Sequence, residues 1–180
     1  REAEEIKKAL DKLAEELREL LERSRDTVRK LIKELRDLVR ESRRRVKELI
    51  DDIRRRVDSK EMEKVLKTAT DVLRRNEDLI RRIEKVLREI LRKNKELADD
   101  IERVLRELEK KIEKLRRDGA SREELKRLLE EVERLIERLK ERIKRLTEES
   151  EKLVRELLKL IEKSTKESEE DVKRLVDEAK

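Results

Sequence analysis

The fold is decided by residues 61–117, which read EMEKVLKTATDVLRRNEDLIRRIEKVLREILRKNKELADDIERVLRELEKKIEKLRR. Apolar residues recur there in steps of four and three, the spacing that keeps side chains on one face of an α-helix. Asn76 and Asn94 occupy two positions of this stripe and lie 18 residues apart. Because an α-helix has about 3.6 residues per turn, this interval is about five turns, and both amides should point the same way. The predicted stripe is Met62, Leu66, Ala69, Leu73, Asn76, Ile80, Ile83, Leu87, Ile90, Asn94, Leu97, Ile101, Val104, Leu108, Ile112 and Leu115.

The flanking segments repeat the 18-residue interval with small hydroxyl side chains. The pairs are Ser24 with Ser42, Thr147 with Thr165, and Ser150 with Ser168. An unpartnered polar group in an apolar core costs about 1–3 kcal/mol, so residues recurring at one interval within apolar stripes should satisfy one another. The Ser, Thr and Asn residues of the stripes are therefore the candidate structural polar core.

The first chain reversal is expected near Ser59. An antiparallel hairpin that turns there places Ser42 beside Asn76 and Ser24 beside Asn94. The sequence therefore predicts two polar levels, shared by the first two segments.

A second reversal is expected near Gly119. It brings Thr147 within about one turn of the Asn94 level, and residues 164–165 near Asn76. Which hydroxyls of the third segment join each level stays open at this point. The candidates are Thr147, Ser150, Ser164, Thr165 and Ser168.

Two short breaks separate the three helical segments. At the first break, Asp58 or Ser59 can cap the following helix. At the second, Gly119 suits the left-handed position after a helix end, and Ser121 has capping-box spacing to Glu124. Because both connections are short, neighbouring helices must run antiparallel.

The composition favours long helices. Of the 180 residues, 58% are charged and 34% are hydrophobic, with one Gly and no Pro, Cys, His or aromatic residue. Charges of both signs, with Leu, Ile and Val at helical period, are typical of helical bundles. We predict an all-α fold, an up-down-up antiparallel three-helix bundle with very long straight helices. In this prediction residues 1–180 form a single bundle, with helices at about 2–57, 60–117 and 121–178.

The basic runs at residues 43–45 and 54–56 raise the question of nucleic acid. A net charge of +6 and a pI of about 9.4 would permit weak, salt-sensitive phosphate binding. Acidic residues are interleaved with these runs, however, and there are no aromatic side chains for base stacking. A solvated helix face explains the runs better, so we predict no nucleic-acid partner.

The apolar and acidic features point to no further chemistry. No apolar run approaches the roughly 20 residues of a membrane span, and no signal-peptide pattern appears, so we expect a soluble chain without a membrane partner or targeting signal. Adjacent carboxylates such as those at 51–52 and 99–100 diverge by about 100° on a helix and cannot converge on one atom. With no His or Cys beside them, we predict no catalytic residue, no cofactor and no metal site.

The chain resembles de novo designed, parametrically generated helical bundles with buried hydrogen-bond networks. The resemblance covers the whole chain. It rests on the pairs Ser24/Ser42, Asn76/Asn94 and Thr147/Thr165, and on the DGAS turn at residues 118–121. It implies an untwisted antiparallel bundle of very high stability, and it transfers no active site.

Two functions are consistent with this sequence. The core hydroxyls and amides could form a ligand or ion site, but a network that fixes helix register and pairing is the better interpretation. We therefore predict a monomeric scaffold that is not an enzyme and requires no partner. The alternative is a binding or oligomerisation module that accepts a further helix from a partner or self-associates. Its surface would be formed by the residues flanking the stripes, namely Leu21, Ile32, Val39, Ile50, Leu128, Leu135, Val154, Leu158 and Ile161.

Overall fold

The computed structural model describes residues 2–56 and 59–179, with side chains for 4–56 and 60–178. It contains three α-helices: α1 (Glu2–Arg56), α2 (Ser59–Asp118) and α3 (Arg122–Ala179). The helix ends lie within one residue of the ranges predicted from the sequence. Asp58, one of the two candidate caps of α2, lies outside the described residues.

The connection between α2 and α3 has the predicted local chemistry. Gly119 follows the last residue of α2 with φ of 73°, in the left-handed region that costs a residue with a Cβ about 1–2 kcal/mol. Ser121 Oγ accepts a hydrogen bond from the backbone N–H of Glu124 at 3.2 Å, and the Ser121 carbonyl accepts one from the N–H of Leu125 at 3.1 Å. Ser121 therefore caps α3 and satisfies donors of its first turn.

The contacts of the chain divide it into two compact units. Unit 1 comprises Arg1–Arg29 with Ile90–Ser150, and unit 2 comprises Lys30–Glu89 with Glu151–Lys180. Each unit therefore contains part of α1, part of α2 and part of α3. That all 180 residues form one domain stays a prediction.

Ion pairs fix the helix directions in unit 1. In the pairs between α1 and α2 the two residue numbers add to 120, as antiparallel helices require; in the pairs between α2 and α3 they add to 242. The pair between α1 and α3 has a difference of 124 and lies on helices that run in the same direction. The pairs are Glu4–Arg116, Lys7–Glu113 and Arg18–Glu102, then Lys111–Glu131 and Asp100–Arg142, and lastly Glu16–Lys140.

The same register holds in unit 2. Arg43 of α1 pairs with Glu77 of α2 at 3.0 Å, and these numbers again add to 120. Arg45 of α1 pairs with Glu169 of α3 at 3.2 Å, with the same difference of 124. The predicted all-α, up-down-up three-helix bundle is thus confirmed.

Each unit has its own apolar core. In unit 1 the core is built around fully buried residues from each helix, among them Leu17, Ile101 and Val132. In unit 2 a core cluster joins Ile53 of α1, Ala69 and Leu73 of α2, and Val172 of α3. Aliphatic residues fill both cores, as their periodicity predicts.

The buried face of α3 in unit 2 differs from the predicted stripe. Leu153 and Leu160, expected in the core, are 37% and 48% exposed, whereas Val154 and Ile161, expected beside it, are 0% and 1% exposed. A helix in a three-helix bundle faces the gap between two neighbours, so the centre of its buried face lies between the stripe and its flank. Most of the residues expected to line a partner surface are accordingly buried: Leu21, Ile32, Val39, Leu128, Val154 and Ile161. This surface was predicted wrongly.

Candidate functional site

A continuous hydrogen-bond network crosses the three helices of unit 2. Ser164 Oγ donates to Asn76 Oδ1, and Asn76 Nδ2 donates to Ser42 Oγ, each at 2.7 Å. Ser42 Oγ lies 2.7 Å from Thr165 Oγ1, which donates to the Ile161 carbonyl at 2.7 Å. The network thus starts on α3, passes through α2 and α1, and returns to α3. We call these four side chains the unit 2 network.

Proton counting fixes the direction of every bond in the unit 2 network. A hydroxyl has one proton to donate, and the proton of Thr165 is used on the Ile161 carbonyl. Ser42 must therefore be the donor to Thr165, and it accepts from Asn76. Each hydroxyl proton is used once, so only one arrangement of donors satisfies the whole chain of bonds.

The unit 2 network is shielded from solvent. Asn76 is 1% exposed and Ser42 is 2% exposed, Thr165 is buried, and Ser164 is half-buried. Among the described residues, every buried side-chain nitrogen and oxygen has a hydrogen-bond partner. A fully satisfied network of this kind avoids the cost of burying polar atoms, because each lost water contact is replaced.

Unit 1 contains a shorter arrangement. Ser24 Oγ and Thr147 Oγ1 form a short hydrogen bond, and Thr147 donates to the Ile143 carbonyl at 2.7 Å. By the same counting, Ser24 donates to Thr147. The pairs Ser24–Thr147 and Ser42–Thr165 have the same sequence separation of 123 residues.

Asn94 does not join the unit 1 pair, contrary to the expectation that it would lie against Ser24. Its Nδ2 donates to the Ile90 carbonyl of its own helix at 2.8 Å, and its side chain is half-buried. The sequence explains the difference, because the residue 18 positions before Ser164 is Leu146. Asn94 therefore lacks the α3 hydroxyl that holds the carbonyl oxygen of Asn76, and its amide bonds locally.

Ser150 and Ser168 are buried but take no part in either arrangement. They are 3% and 6% exposed. Within the part of the chain that the structure describes, neither hydroxyl makes a hydrogen bond. Of the five candidate hydroxyls of α3, Thr147, Ser164 and Thr165 are thus the ones that bond across helices.

A charged cluster lies on the surface of α1 in unit 2. A hydrogen bond from Arg44 lowers the pKa of the Glu41 carboxyl and raises the pKa of Arg44 itself. Hydrogen bonding to Glu77, with attraction from Glu77 and Glu84, raises the pKa of Arg43. These side chains are solvated, so their ion pairs stabilise the fold little. Sequence reasoning did not single out this cluster, although the spacing of Glu41 and Arg44 on one helix is typical of such pairs.

The chemistry of the buried site is limited to hydrogen bonding. Its groups are hydroxyls and an amide, which neither gain nor lose protons near neutral pH. Among the described residues, no three carboxylates lie together as a metal-binding group would. None of the described helices combines the length and apolar character that crossing a membrane requires. The arrangement can hold three helices in one relative position.

The fold and the network together define a three-helix bundle with a buried polar layer. No protein family model and no curated protein match the sequence. Among solved structures, a "Computationally designed three helix bundle" aligns over 99% of this chain and 85% of its own, with 20% sequence identity and a TM-score of 0.40. At this TM-score the likeness is weak, and the fold is established by the helix contacts described above.

Proposed function

We propose that this chain is a monomeric, non-enzymatic structural scaffold in which buried polar side chains specify the register of the three helices. The observation that carries the proposal is the unit 2 network, in which every hydroxyl proton has one acceptor and side chains from all three helices take part. Such a network adds little net stability compared with an apolar core. Its contribution is to disfavour other pairings.

The penalty for a shifted register follows from the neighbours of Ser42. If α2 slid along α1 by one heptad, Asn76 would face Leu35 or Leu49 in place of Ser42. Its buried amide would then lose its partners, at about 1–3 kcal/mol for each unsatisfied group. Apolar residues alone would distinguish these registers poorly, since Leu packs against Leu in each of them.

A shift by one whole repeat is disfavoured by a different residue. The 18-residue interval would otherwise allow Asn76 to find equivalent hydroxyls one repeat along. Leu146 occupies the position that Ser164 occupies one repeat later, so a chain displaced by 18 residues would leave the Asn76 carbonyl oxygen without its donor. We infer that this single departure from the repeat makes the register unique.

The same proposal includes straight helices of the designed, untwisted type. Its support is the interval itself, since 18 residues are about five whole turns of an uncoiled α-helix. Heptad spacing would instead favour a left-handed supercoil.

The test replaces the unit 2 network with apolar side chains, as Ser42→Ala, Asn76→Leu, Ser164→Ala and Thr165→Val in one protein. We expect this variant to unfold at the same or a higher denaturant concentration than the parent, because no buried polar group remains unpaired. We also expect it to lose its unique state, with several peaks per backbone amide in NMR spectra or a mixture of masses in light scattering. A matched control carries Ser150→Ala and Ser168→Ala, which remove buried hydroxyls that make no cross-helix bond. If the apolar variant stays a monomer with one peak per amide, as the control should, the network does not specify the register.

A further inference from the structure

An open groove runs between α1 and α2 in unit 2. It has a volume of about 580 Å³ and an apolar floor formed by Val46, Ile50 and Leu73. Its walls carry five cationic side chains and two acidic ones, Asp51 and Glu77. The cations are Arg43, Lys47, Arg54, Arg74 and Arg81. We call this the α1/α2 groove.

The cationic wall continues beyond the α1/α2 groove. Arg43 also borders a neighbouring hollow of about 330 Å³, which has Val39 and Leu87 in its floor and Arg88 on its α2 side. Arg74, Arg81 and Arg88 follow one another at intervals of seven residues, so they lie along one edge of α2. They span 14 residues, or about 21 Å at 1.5 Å per residue.

These arginines have little internal compensation. Within the described residues, Arg74, Arg81 and Arg88 form no ion pair. The α1 and α2 segments of unit 2, residues 30–89, hold 20 Lys and Arg against 14 Asp and Glu, a net charge of +6. That equals the net charge of the whole chain, +6. The α3 segment of the unit, residues 151–180, has 8 basic and 9 acidic residues and a net charge of −1. The excess positive charge of unit 2 is therefore on the helix pair that forms the groove.

We propose that the α1/α2 groove binds an acidic amphipathic α-helix, as the fourth helix of this part of the bundle. The apolar face of such a helix covers Val46, Ile50 and Leu73, and glutamates on its flank pair with the arginine row of α2. Charge complementarity selects this partner, because a helix with a basic flank would meet the same arginines with like charge.

The apolar floor favours a helix over an extended polyanion. A polyanion offers phosphate, sulfate or carboxylate groups but nothing to cover the aliphatic side chains of the floor. Asp51 and Glu77 also line the groove and would repel a uniformly negative chain. Binding here is a further property of the protein, and its failure would leave the proposed role of the unit 2 network untouched.

The experiment uses the full chain and a synthetic peptide of three heptads, with Leu on one face, Glu on both flanks and one Trp. The protein has no aromatic residue, so the Trp fluorescence reports the peptide alone. We expect saturable binding that weakens as salt is raised, and at least about tenfold weaker binding to the variant Arg74→Glu/Arg81→Glu. The control Arg155→Glu/Arg174→Glu changes two exposed arginines of α3 and gives the same net charge. It should bind within about threefold of the parent.

Four outcomes would overturn the proposal. These are no binding of the acidic peptide, equal binding of a peptide with Lys in place of Glu, and equal loss in the α3 control. The fourth is displacement of the peptide by heparin or polyglutamate at equal charge concentration, which would assign the groove to polyanions in general. Circular dichroism of both variants establishes that a loss of binding occurs in folded protein.

Discussion

At the scale of single residues, hydrogen-bond partners distinguish side chains that the sequence makes equivalent. Ser42 and Ser150 are both helical serines, and they are 2% and 3% exposed. Ser42 bonds to Asn76 and Thr165, whereas Ser150 bonds across no helix interface. The two positions therefore form a matched pair for measuring what the network contributes.

Ser42→Ala should lower the free energy of unfolding by about 1–3 kcal/mol, because the buried Asn76 amide loses its acceptor. Ser150→Ala removes the same atom and should change stability by less than about 0.5 kcal/mol. Chemical denaturation followed by circular dichroism at 222 nm measures both changes. Adding Asn76→Leu to Ser42→Ala should recover most of the loss, since the unpaired amide is then gone. Equal effects of the two serine changes would show that the network hydrogen bonds contribute nothing beyond burial.

At the scale of the elements, the ends of the helices are set by local chemistry. The left-handed φ of 73° at Gly119 ends α2, and the Ser121 side chain begins α3. Neither feature depends on the core, which is why the second turn could be placed from the sequence.

Gly119→Ala should destabilise the protein by about 1–2 kcal/mol, through backbone strain alone. A Cβ built at this position meets no atom within 4 Å, so no steric clash contributes. Gly119→Asn is the control, because Asn tolerates the left-handed region better and should cost less. Thermal or denaturant unfolding of the three proteins should give the order Gly, Asn, Ala. A Gly119→Ala protein as stable as the parent would mean that the turn relaxes to another conformation.

At the scale of the whole molecule, the exposed apolar surface is small. Among the described side chains, the large hydrophobic residues that are exposed are Leu91, Leu153 and Leu160. Leu153 and Leu160 lie seven residues apart on one face of α3, where self-association would begin if it occurred. Two such residues fall short of the area that stable interfaces bury.

We therefore expect a monomer of 21.9 kDa. Light scattering coupled to size-exclusion chromatography tests this, with refractive-index detection because the chain lacks Trp and Tyr. The mass should not change between micromolar and hundred-micromolar concentrations, and Leu160→Glu should leave it unaltered. A mass that is twice as large in the parent and halves in the Leu160→Glu protein would identify α3 as a dimer interface instead.

The sequence by itself determined the three helices, their ends, and their antiparallel order. It also placed Ser42 opposite Asn76, because a reversal near Ser59 fixes which residues share a level. These features follow from periodicity, caps and chain length, which act locally or along one helix axis.

The tertiary structure decided which side of each stripe is buried and which polar groups bond. Asn94 turned to its own backbone for want of a hydroxyl at Leu146, and Val154 is buried where Leu153 was expected. Helical spacing locates a side chain only to within about a turn, whereas a hydrogen bond requires its atoms to lie within a few tenths of an ångström of the right distance. That accuracy is reached only when three helices pack together, so the partners of each polar group were settled by packing.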